Sequence, residues 1–143
     1  MGRLLGIGCG FLGFSSFCLV GLSISAILAL FSAPTDAATG FLGDVRDDDW
    51  AAARLRMSAE YQREHSDAEV ASNVARIPEL ETHAIAILTS YEDVDVDEGA
   101  ARRARVEGTL YGPDGEAPIA FELSEVSGYW YVDLVAVEGR RLE

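Results

Sequence analysis

Residues 104–137 read ARVEGTLYGPDGEAPIAFELSEVSGYWYVDLVAV. At its start Ala104, Val106, Gly108 and Leu110 alternate with Arg105, Glu107 and Thr109, the two-residue period of a strand with one buried face. Gly112-Pro113-Asp114-Gly115 follows, with Pro at the second turn position and Gly at the fourth, a reversal signal. Ile119, Phe121 and Leu123 then form the apolar face of another strand. Ser127-Gly128 turns the chain tightly into Tyr129–Val137. In that last strand Trp130, Val132 and Leu134 are expected on one side, and Tyr131, Asp133 and Val135 on the other. Working backward, Thr82–Val96 contains Ile85, Ile87, Tyr91 and Val94 and is expected as a first strand. Asp97-Glu98-Gly99 supplies its turn.

Upstream the period changes to that of a helix. Ala38, Phe41, Leu42 and Val45 recur at helical spacing within 37–46. Asp47-Asp48-Asp49 interrupts and offers a cap for a second helix from Trp50 to about Arg63. Asp67 caps a third, Ala68–Arg76, and Pro78 closes it. Helices followed by sequential antiparallel strands make an α+β pattern. The expected fold is therefore an N-terminal transmembrane helix, then two to three short helices packed on a four-stranded antiparallel meander. Its parts are an anchor at 1–33 and a domain at 34–143.

The anchor rests on Leu4 to Phe31, which holds no ionisable side chain except Cys9 and Cys18. As a helix it would be ~42 Å long, against a hydrocarbon core of ~30 Å. That exceeds the usual apolar core of a cleavable signal, although Thr35-Asp36-Ala37 would serve as a cleavage site. Arg3 and the N-terminal amine precede the stretch, and Asp36 and Asp44 follow it. The N-terminus is expected inside and the domain outside. Gly6 and Gly10 recur at four-residue spacing, as do Gly21, Ser25 and Ala29, and the two runs share nearly one helix face. Small residues so spaced let two helices approach closely, with self or partner association as the functional reading. Cys9 and Cys18 fall on opposite sides of the helix and cannot bridge each other within it.

Charge is distributed as unevenly as hydropathy. The net charge of the 143 residues is −13, and all 24 acidic residues lie at or beyond Asp36. Such a surface repels nucleic acid, so no nucleic-acid partner is expected. Every basic residue among the 11 is Arg, which excludes a Schiff-base or lysine-base mechanism.

The opening Phe41-Leu42-Gly43-Asp44-Val45-Arg46-Asp47-Asp48-Asp49-Trp50, with Ala52-Ala53 and Ser58-Ala59-Glu60-Tyr61, resembles small domains of the nuclear transport factor 2-like, or cystatin-like roll, superfamily. So do Ala104–Leu110, Ile119–Leu123 and Gly128–Asp133. The likeness spans about residues 37–139 and is closest to short anchored or exported bacterial members. It implies a curved sheet wrapped around helices, with room for a cavity between them, and a bacterial inner-membrane location with a periplasmic domain. The superfamily includes isomerases, dehydratases, binders and structural modules, but no catalytic residue carries over by motif. A second similarity, in the glycine-rich anchor and closing strands, is to anchored assembly factors of respiratory oxidases.

No side-chain set points to a reaction. Asp93-Val94-Asp95-Val96-Asp97-Glu98-Gly99 lacks the Gly and Glu spacing of a calcium loop, and Asp95 and Asp97 are expected to face Arg105 and Arg103 across a hairpin. His65 and His83 read as surface or helix-end residues, with Asp133 or Tyr61 as conceivable catalytic companions. No metal and no cofactor is expected. Tyr129, Tyr131 and Asp133 are the candidate ligand-binding residues, with Trp130 in the core and Asp133 the carboxylate whose pKa would rise if buried. The leading expectation is a non-enzymatic, membrane-anchored interaction or scaffold module. The alternatives are a small-ligand binder or isomerase-like domain with a cavity between sheet and helices, and a respiratory-complex assembly factor.

Overall fold

The computed structural model describes residues 34–94 and 100–142. The expected anchor, with Gly6, Gly10, Gly21, Ser25 and Ala29, lies outside the described residues, as do Asp95 and the turn at 97–99. Among the described residues no helix is long and apolar enough to cross a membrane.

The domain is α+β. Among the described residues five helices run in sequence: α1 (34–46), α2 (Trp50–Arg56), α3 (Ala59–Glu64), α4 (Asp67–Val74) and α5 (Pro78–Thr82). Five strands follow: β1 (Ile85–Val94), β2 (Arg103–Gly112), β3 (Gly115–Val126), β4 (Tyr129–Val137) and β5 (Arg140–Arg141). Each pairs antiparallel with the next, in the order β1-β2-β3-β4-β5. The short β5 was not expected. Glu138-Gly139, both at positive φ, repeat the tight turn made by Ser127-Gly128 and fold the chain end back on Val137.

Two helix boundaries differ from expectation. The helix expected from Trp50 to Arg63 breaks at Met57, whose backbone is extended and bridges β4 at Val132. The Ser58 N–H donates to the Val132 carbonyl at 2.8 Å, and the Ser58 side chain then caps α3. The propensity of this stretch is helical, but the open edge of β4 needs a partner, and that need wins. Pro78 opens α5 rather than closing α4: at the first helical position its missing N–H costs nothing.

The helices cover one face of the sheet. Phe41, Val45, Ala53, Met57, Val70, Val74 and Leu80 meet Val106, Leu110, Ile119, Phe121 and Leu123, and all are at most 2 % exposed. Phe41 and Phe121 meet edge to face, with ring centroids 6.2 Å apart at 77°. Ion pairs tie the layer together at its rim. Arg56 pairs with Asp44 between α1 and α2, and Arg54 reaches Asp67 of α4 at 2.6 Å. Arg140 joins β5 to Glu79 of α5 at 2.6 Å and holds that carboxyl below its usual range.

Two bulges decide which side chains face in. In β4, Leu123 pairs with Val132 but Glu122 pairs with Leu134, so Asp133 is an extra residue. The phase slips by one there: Val135 is buried, and Leu134, expected beside Val132, takes the opposite side. Trp130 is half-buried at the edge of the core, with the Arg102 guanidinium 5.5 Å above its ring. In β1 the register shifts between Leu88 and Ser90. Ala86, Leu88 and Tyr91 pack toward the core, while Ile85 and Ile87 stand 59 % and 48 % exposed on the outward side. Gly108 lies against this bulge: a Cβ there would come within 2.3 Å of the Ile87 carbonyl oxygen.

Candidate functional site

Because the helices fill one side of the sheet, surface for chemistry or contact lies on the other side and its rims. Asp133 projects outward at the β4 bulge. It borders a groove of about 720 Å³ with Arg103, Arg105, Glu122, Ser124 and Arg141. Ser124, on β3, donates its hydroxyl to Asp133 Oδ1 at 3.0 Å. Asp133 is open to solvent as a residue, yet its carboxyl is crowded by neighbouring groups. That desolvation raises its pKa, the Ser124 hydrogen bond and the Arg103 charge lower it, and Glu122 raises it again.

Tyr131 is half-buried and pairs in register with Ser124. It lines a separate hollow of about 260 Å³ with Ser58, Ala59, Gln62 and Val126. Ser58 and Ser124 border both hollows. The structure therefore brings Tyr131 and Asp133 together around Ser124. Tyr129, at the β3–β4 turn, is 70 % exposed and borders neither hollow. None of the three enters the core between sheet and helices, where buried side chains already occupy the space; Tyr131 lines its hollow at the rim, between α3 and the ends of β3 and β4. Ser124 and Ser58 were not singled out in the sequence. Ser124 reaches Asp133 through strand register, and Ser58 arrives through the α2–α3 break, so neither position has a local sequence signal.

The histidines sit elsewhere. Both are helix C-caps, of α3 and α5. His83 is buried, and its Nδ1 lies 2.7 Å from the Leu80 carbonyl, a distance that assigns the proton to Nδ1. His65 tilts over the Tyr61 ring with centroids 4.1 Å apart. Tyr61 is itself buried, which raises its pKa, and its hydroxyl accepts from Asn73 at 3.4 Å. Neither histidine borders the groove at Asp133.

Two arginines at the start of β2, Arg102 just before it and Arg105 within it, are engaged close to home. Arg105 pairs with Glu107 at 2.7 Å, and Arg102 is shared between Glu125 at 3.0 Å and Asp93 at 3.7 Å. The expected partners Asp95 and Asp97 lie outside the described residues; in register Arg103 and Arg105 face Val94 and Glu92. Among the described residues no three metal-binding side chains cluster. Set against known protein families and against curated proteins, the chain matches none.

Proposed function

We propose that this chain is a non-enzymatic interaction module, tethered to the bacterial inner membrane by residues 1–33, that presents the outward side of its sheet to another envelope protein. The observation that carries the reading is the asymmetry of the sheet. Its inner face is filled by side chains at most 2 % exposed, whereas the outward side and its rims carry Tyr129 at 70 %, Ile85 at 59 % and Val126 at 53 %. Among the described residues the helical layer leaves one comparable side chain in water, Leu55 at 59 %, so the exposed large apolar side chains are concentrated on the outward side, which favours a second protein surface over an enclosed ligand. The uncharged stretch from Leu4 to Phe31 supports the tether, since it partitions into hydrocarbon more readily than into water. An assembly factor for a respiratory complex belongs to this class of role. The order of helices and strands is compatible with a cystatin-like roll, and that family placement remains part of the proposal.

The test has two arms. After carbonate extraction the full chain should stay with membranes, and protease should reach the domain only from the outer side. A photo-crosslinker at Tyr131 or Leu134 should trap a protein that one at Glu64, on the helical side, does not. Release by carbonate overturns the tether, and equal trapping from both sides overturns the docking face. Changing Gly6, Gly10 and Gly21 to Ile should abolish any association made through the anchor; unchanged association rejects that part.

The raised carboxyl of Asp133 in its groove favours a second reading, a small-ligand binder or isomerase-like domain. That reading requires Asp133→Asn to abolish ligand binding or turnover while leaving the Tyr131 crosslink intact.

A further inference from the structure

The two edges of the sheet are treated differently. On the β4 side, the Met57–Ser58 segment covers Val132 and β5 covers Ala136 and Val137. On the other side β1 pairs only with β2 among the described residues, so its far edge presents free backbone N–H and C=O groups. Natural edges of this kind are commonly guarded by Lys or Pro. Ile85–Val94 contains no Lys, Arg or Pro, and its one guard is the bulge after Leu88. The stretch before the bulge is regular and apolar. Ile85 and Ile87 are exposed, and Ile85 is paired with Tyr111, itself 38 % exposed.

We infer that the β1 edge takes up an extended, basic segment of the partner polypeptide, which joins the sheet as a further strand along Ile85–Leu88. The inference rests on the interaction-module reading and names the chemistry of the partner. Backbone pairing along the edge would supply affinity, and alternate side chains of the segment would lie over Ile85 and Ile87. Charge selects the occupant. Beyond the bulge the strand carries Glu92 and Asp93 and no base. Arg102 is already divided between Asp93 and Glu125, and Arg105 lies between Glu107 and Glu92. Arg103, beside Val94, acts on Asp133, and Glu122 faces Arg105 from β3, so three arginines stand among six carboxylates, leaving an excess of negative charge. A second copy would bring another chain of net charge −13 to this edge, and the bulge interrupts the long flat register that self-pairing needs. A basic segment meets neither obstacle.

The experiment uses the full chain in nanodiscs of neutral phosphatidylcholine, so that lipid does not compete for a cationic probe. Three fluorescent ten-residue peptides are titrated by anisotropy: alternating valine and arginine, the same with glutamate for arginine, and the valine–arginine peptide with a central proline. The first should bind, weaken as salt rises, and slow amide exchange within Ile85–Leu88. The other two should bind at least tenfold more weakly. Ile85→Lys with Ile87→Lys should lose at least tenfold for the first peptide, and Glu92→Gln should flatten the salt dependence. Equal binding of the proline peptide, or unchanged exchange in β1, overturns the inference on the unmodified chain alone. Exchange in β1 that slows with protein concentration and no peptide would assign the edge to a second copy and also overturn it. If the peptides fail while the Tyr131 crosslink persists, only the edge inference falls and the module reading stands.

Discussion

Phe41 and Phe121 join the first helix to the middle of the sheet, and removing that contact should test how the two layers are held. Both rings are fully buried, with centroids 6.2 Å apart in an edge-to-face arrangement. Truncating a buried Phe to Ala costs ~3–5 kcal/mol through lost burial and the cavity left behind. A domain of this size has only ~5–15 kcal/mol of stability, so Phe121→Ala should leave the domain marginal. The pairwise part is smaller, because edge-to-face geometry adds ~0.5–1.5 kcal/mol beyond buried area. A cycle of Phe41→Leu, Phe121→Leu and the double variant isolates it while keeping an apolar side chain at each site. Urea unfolding of the full chain in neutral detergent, read by Trp50 and Trp130 fluorescence, is a suitable assay, since both indoles pack partly against the core. The expected coupling is about 1 kcal/mol, favourable in the parent. Coupling near zero would mean that the rings are neighbours without specific interaction. A cost below about 1 kcal/mol for Phe121→Ala would refute the claim that this face is closed.

Three further outcomes follow from the same geometry. Gly108→Ala would push a methyl group to within 2.3 Å of the Ile87 carbonyl and 2.8 Å of Leu88 Cα, so β1 should loosen, seen as faster amide exchange in Ile85–Leu88 than in β3. The Asp133 carboxyl should titrate in NMR above the ordinary Asp value, and Ser124→Ala, by removing the hydrogen bond that lowers it, should move it higher still. Because the folded state holds that proton longer than the unfolded chain, Asp133 withdraws stability as pH climbs from the unfolded value through the folded one, and Asp133→Asn should abolish that decline. The Tyr91 phenol, pushed up to about 12 first by its surroundings and then by its hydrogen bond to Asp93, should ionise late in an ultraviolet titration. Asp93→Asn should bring it down; an unchanged midpoint would reject Asp93 as a cause.

The antiparallel meander was legible because three independent local signals agree over 104–137: side-chain alternation, a Pro-Asp reversal and a Ser-Gly turn. The inward positions of β2 and β3 follow directly from that alternation. It failed in β4, where one inserted residue reverses the phase so that Val135 faces the core, and in β1 a like shift puts Ile85 and Ile87 on the opposite side from Tyr91. Helical spacing correctly marked Ala38, Phe41, Leu42 and Val45 as buried. It missed the interruption at Met57, whose cause is a strand edge some seventy residues later. Of the candidate site, Tyr131 and Asp133 were found by their shared strand side, while Ser124 and Ser58 come to them from other elements.

Local alternation, turn residues and the placement of charge determined the α+β class, the order of the strands and the acidity of the domain, because each depends on neighbours within a few residues. Which strand edge stays open, which side chain occupies a bulge, and which hydroxyl reaches Asp133 were decided only on folding. Those features depend on backbone groups that need hydrogen-bond partners, and the partners come from residues far apart in the chain.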